Sequence, residues 1–189
     1  MNDDSKILRV RMQGNLDGLC GIYSIVNAAQ NLSKNKLSEK NTNDLFRVLC
    51  RALSADQKLE DALFEGISVK PLGKLIDVAS KFLSDKRGFS IDRHRAFKSK
   101  PDGLDKMWNK ISDHVDKHGP GSVILGLGKT HDHWTCVREI KNKQISLIDS
   151  DGLRRLSRKH CTISESPGKR LHILWPTQTY LLSANRNSD

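Results

Sequence analysis

Apolar residues recur every three or four positions over most of residues 20–118, then gather into short runs of β-branched and large apolar residues over residues 119–183. The first spacing is that of helices and the second that of strands. Ile22, Ile25, Val26, Ala29 and Leu32 fall on one stripe of a helix predicted over residues 20–34, amphipathic and with its apolar face in the core. After a polar connector, Asn43 and Asp44 are suited to cap a second helix carrying Leu45, Phe46, Val48, Leu49 and Leu53. Residues 59–64 add a turn or two, and Pro71 suits the first turn of a helix through Leu72, Leu75, Ile76, Ala79 and Leu83. Met107, Trp108, Ile111 and Val115 mark a further helix over residues 104–118, closed by Gly119, Pro120 and Gly121.

Strands are predicted at residues 7–12, 88–91, 122–127, 134–140, 144–148, 171–175 and 179–182, with residues 93–103 as a surface loop. Asn142, between Lys141 and Lys143, suits a tight turn joining two antiparallel strands. Helices first and strands afterwards predict an α+β domain in two layers, a single domain over residues 1–189. Disorder is expected only at residues 1–5 and 185–189.

Composition narrows the class. A chain of 189 residues, 37% hydrophobic and 29% charged, can bury a core without disulfide staples. Its four cysteines, Cys20, Cys50, Cys136 and Cys161, form no CxxC pair, and no apolar leader opens the sequence, so free thiols in a reducing, cytoplasmic setting are expected. Whether the protein acts in its own cell or is delivered into another is left open. No run approaches the roughly 20 apolar residues of a membrane span.

The net charge of +10 and pI near 9.6 fit a nucleic-acid footprint, an acidic protein surface as partner, or a solvated basic exterior. The basic residues are scattered, with small concentrations at Arg93, Arg95, Lys98 and Lys100 and at Arg154, Arg155, Arg158 and Lys159. Neither group is interleaved with aromatics as in a single-strand binding platform.

The candidate chemistry centres on Cys20, at the joint between a glycine-rich loop and the first predicted helix. Catalysis by a thiol needs the thiolate, and the first turn of a helix favours an anion through its dipole and free N–H groups. Attack on a carbonyl creates an oxyanion, for which the Cys20 backbone N–H is one donor and the Gln13 side-chain amide a second if the loop curls back. The base should be a histidine oriented by a carboxylate. His133 opens a predicted strand, with His131 as its rival. Asp149 closes the next strand, and Asp151 competes with it: a three-residue turn would set His133 opposite Asp151, whereas a bulge or another loop length would favour Asp149. His131, His133 and Cys136 lack the partner spacing of a zinc site, so no metal and no cofactor are expected.

Taken in order, Gln13, Cys20 with Gly21, His133 with Trp134, and Asp149 with Ser150 resemble the papain-like cysteine peptidase superfamily. Residues 133–137 and 145–150 are similar to the histidine and aspartate strands of proteases that process ubiquitin-like proteins. In those the cysteine comes last; here it comes first, as in papain. The resemblance covers roughly a third of the chain. It implies a central N-terminal helix bearing the cysteine, packed on a small antiparallel sheet, with Cys20 as nucleophile, His133 as general base and then acid, Asp149 as orienting acid and Gln13 as oxyanion donor. Gln13 precedes Cys20 by seven positions, one more than is usual there. A protein or peptide substrate follows from the same resemblance. A thiol-dependent acyltransferase, transglutaminase-like, and a non-catalytic basic binding module are the alternatives.

Overall fold

A computed structural model of the chain describes residues 10–14, 17–56, 58–117, 121–165 and 170–186. Helix α1 (Cys20–Leu32) stops short of its expected end because Lys34 and Asn35 take left-handed backbone, with φ of 53° and 59°. Helix α2 (Glu39–Ala55) begins ahead of the predicted caps. Ser38 holds the N-cap, its side chain accepting from the Asn41 N–H at 3.2 Å, and Asn43 and Asp44 lie within the helix. The short α3 (Leu59–Glu65) follows, then α4 (Val69–Arg87), where Pro71 sits in the first turn and its missing N–H costs no helical bond.

Strand β1 (Phe89–Arg95) is longer than expected and replaces the start of the predicted loop. Arg93, His94 and Arg95 pair with Leu182, Leu181 and Tyr180, and both guanidinium groups stand 5.7 Å from the centre of the Tyr180 ring. Helix α5 (Leu104–Lys117) leads to β2 (Gly121–Lys129), β3 (His133–Lys141) and β4 (Gln144–Ile148). Two short polar strands that apolar patterning does not mark, β5 (Arg155–Ser157) and β6 (Cys161–Thr162), flank a single 3-10 turn. The strands expected at residues 171–175 and 179–182 are one, β7 (His172–Arg186).

The sheet runs β1-β7-β2-β3-β4-β5, antiparallel throughout, with β6 added parallel to β7. Leu125 pairs with Thr179 but Gly126 with Trp175, so residues 176–178 bulge out of β7. Pro176 lies in that bulge, where a residue without an N–H leaves no ladder bond unmade. Asn185 and Arg186 belong to β7, not to a disordered end. Residues 1–9 and 187–189 lie outside the described residues, as do Gly119 and Pro120. Residues 10–12, the described part of the strand expected at 7–12, are not in a strand.

Three layers replace the expected two. Ile124 of β2 joins Cys136, Ile148, Tyr180 and Leu182 in the core under α1, α2 and α4. Its neighbours Val123, Leu125 and Leu127 point the other way, into a second core with Met107, Trp108 and Ile111 of α5. An unbroken apolar run such as that of β2 marks a strand covered on both faces. Helix α1 is correspondingly buried nearly all round rather than on one stripe. Its inward polar groups are matched: Ser24 Oγ donates to the Trp134 carbonyl at 2.8 Å, Gln30 Nε2 to Thr42 Oγ1 at 2.8 Å, and Asn27 exchanges bonds with the Arg11 backbone. Among the described residues no helix is long and apolar enough to cross a membrane.

Candidate active site

The loop before α1 is held by two devices. The Asp17 carboxylate accepts the N–H groups of Gly14 and Leu19, at 2.9 and 3.1 Å. Gly18 donates its N–H to the Leu63 carbonyl at 2.7 Å, and a Cβ there would come within 2.9 Å of the Ala62 and Leu63 carbonyl oxygens. Only glycine permits that approach, so α3 fixes the entry to α1. Cys20 is the first helical residue, where a backbone N–H has no partner within the helix. The Cys20 side chain is buried, and the Trp134 N–H donates to its sulfur at 3.5 Å.

His133 begins β3 beside this sulfur. Its Nε2 stands 2.9 Å from Asp149 Oδ2, the two side chains being 9% and 1% exposed. That bond leaves Nδ1 as the ring nitrogen available to Cys20, with which the imidazole also interacts. Burial opposes a charge on His133, but the hydrogen bonds and charges of Asp149 and Cys20 outweigh it and push its pKa up to about 10. Burial likewise opposes the Asp149 carboxylate, and the His133 hydrogen bond and charge overcome it, holding Asp149 below its ordinary value.

The other oxygen, Asp149 Oδ1, accepts the Asp151 and Leu153 N–H groups at 2.9 and 3.0 Å, through a turn in which Gly152 has φ of 83°. Asp149, not Asp151, is thus the carboxylate that meets His133, and Asp151 is an exposed turn residue. The turn at Asn142 and Lys143 has two residues, both at positive φ, as in type I′ hairpins. A bulge between Val137 and Glu139 then restores the offset that a three-residue turn would have given. Asp149 lies beyond the last ladder pair, Cys136 with Ile148, and reaches His133 diagonally.

His131 turns elsewhere and stacks on His172 with ring centres 5.6 Å apart. Gln13 meets the site from the side of the acid. Its N–H donates to the Ser150 carbonyl at 3.0 Å, its side-chain oxygen accepts from Ser150 Oγ at 3.2 Å, and its Nε2 donates to the Asp17 carbonyl at 2.7 Å. The structure therefore brings Gln13 to Asp17 and Ser150; no bond from it to Cys20 is present among the described residues.

The four cysteines are free. Burial and the Asp17 charge raise the half-buried Cys50 thiol; burial raises Cys161 to about 11 and Cys136, bonded to Ser122, to about 12. Among the described residues no group of three metal-ligating side chains could hold an ion.

A cleft of about 540 Å³ opens over Cys20 and His133, lined by Ile67 and Val69 after α3 and by Leu127, Trp134 and Gln178 from the sheet. Trp134 Nε1 donates to the Ile67 carbonyl at 2.6 Å and joins the two walls. Sequence reasoning missed this second role of Trp134, the Ser150 tether and Gln178. The last reaches the cleft only because of the β7 bulge, across from a glycine, Gly126, where a Cβ would come within 2.9 Å of it. Comparison with family models, with curated proteins and with solved structures finds no match to the chain.

Proposed function

We propose that the chain is a papain-like cysteine peptidase or isopeptidase. What carries the reading is the continuous Cys20, His133 and Asp149 set, in which Cys20 and His133 line one cleft and Asp149, buried behind them, bonds His133. His133, with its pKa pushed up to about 10, already carries the proton drawn from the thiol, and the Cys20 sulfur attacks the substrate carbonyl carbon as the thiolate. The oxyanion that forms is met by the Cys20 backbone N–H and by the second N–H of the Gln13 amide, the first being given to Asp17. His133 then passes its proton to the leaving amine as the C–N bond breaks, which leaves a thioester on Cys20. Water, deprotonated by His133, attacks that thioester and releases the acid and the free thiol. Asp149 holds the ring and its charge throughout. The four free cysteines fit work in a reducing compartment.

The test compares wild type, Cys20→Ala and His133→Ala on peptide and isopeptide substrates by mass spectrometry. Each variant should lose at least about a thousandfold in kcat, and wild type should release the free acid. Full activity in Cys20→Ala would sink the mechanism. A product joined to an added amine would identify acyl transfer in place of hydrolysis.

A further inference from the structure

Three acidic residues line the cleft over Cys20. Asp61 and Glu65, one turn apart, share a face of α3, and Asp132 immediately precedes His133. All three are exposed, and their carboxylates have no ion pair or hydrogen bond among the described residues. Against them the lining holds a single lysine, Lys58, and no arginine. His133 does not alter the balance, because Asp149 matches its charge. Ile67, Val69, Leu127 and Trp134 supply the apolar part of the same surface.

The cleft is therefore negative in a chain of net charge +10. The field of the whole molecule draws acidic partners from a distance, but it is screened beyond about 8–10 Å at ordinary salt. A segment already in the cleft meets the local carboxylates instead. We propose that the cleft takes an extended polypeptide segment with lysine or arginine within a residue or two of the bond presented to Cys20, and an apolar side chain beside it. This selectivity rests on the peptidase reading, and it opposes in sign the acidic protein partner that is one reading of the net charge.

Binding and turnover separate the two. Fluorescein-labelled peptides matched in length and apolar content, carrying either lysines or glutamates around a central apolar pair, are titrated into Cys20→Ala protein and offered to wild type. The lysine peptide should bind roughly tenfold tighter at low salt, since exposed charge pairs each contribute a factor of a few, and the margin should shrink as salt is added. The double substitution Asp61→Lys with Glu65→Lys should reverse the preference, and Asp132→Lys alone should weaken it. These positions are exposed, so circular dichroism should show an unchanged fold.

Tighter binding of the glutamate peptide, equal binding, no binding of either, or a preference unmoved by the double substitution would overturn the proposal. Charge-selective binding without hydrolysis by wild type counts against the peptidase alone. Hydrolysis without charge selectivity counts against the cleft preference alone.

Discussion

Asp149 does two jobs with two oxygens: Oδ2 charges and aims His133, while Oδ1 closes the turn through Asp151 and Leu153. Asp149→Asn keeps the turn acceptor but removes the charge. The His133 pKa, about 10 in the native protein, should then fall by on the order of one unit or more, read from its ring proton shifts in an NMR titration. An unmoved titration would mean that Asp149 does not set the histidine's charge. Gln13→Ala should lower kcat by about a hundredfold with KM little changed if its amide meets the oxyanion. An unchanged kcat would confine Gln13 to its tether on Ser150. Cys20 and His133 were legible from residue type and order, whereas spacing alone did not choose between Asp149 and Asp151. Ladder register alone sets His133 level with Asp151, and the outcome depends on where β4 ends and the chain turns.

At the scale of elements, apolar spacing revealed α1, α4 and α5, but not that α1 is enclosed on nearly every side. That enclosure depends on Ser24, Asn27 and Gln30 finding partners more than ten positions away in sequence, which periodicity does not encode. The β7 bulge was equally hidden, since Pro176 reads as a break between strands until the ladder is seen to resume beyond it. The contact of α3 with the Gly18 loop links scaffold to site. Gly18→Ala should cost about 1–3 kcal/mol in denaturant unfolding, because its Cβ would press on the Ala62 and Leu63 carbonyls, and should slow Cys20 by displacing the start of α1. A variant of native stability and full reactivity would show that this close approach is not needed.

Over the whole molecule, the α+β class could be read from helices preceding strands, but the third layer could not, because α5 covers a sheet face that local sequence does not identify. The central ion pair gives stability a defined pH window. His133 is raised from 6.5 to about 10, so its contribution is complete below about pH 6.5 and fades as pH rises through about 10. Asp149 is lowered from 3.8, so its contribution is present above that value and is lost as pH falls through the depressed one. The gap in Tm between wild type and His133→Gln should therefore be widest near pH 5–6 and narrow toward pH 10; a gap independent of pH would refute the linkage. The proposed chemistry depends on Cys20 being an activated nucleophile. Timed alkylation with iodoacetamide at pH 6, followed by peptide mass mapping, tests this most directly. The expected result is fast, single modification at Cys20, ahead of Cys50, Cys136 and Cys161 and strongly slowed in His133→Ala. Modification of Cys20 no faster than that of a free thiol, or as fast without His133, would contradict it.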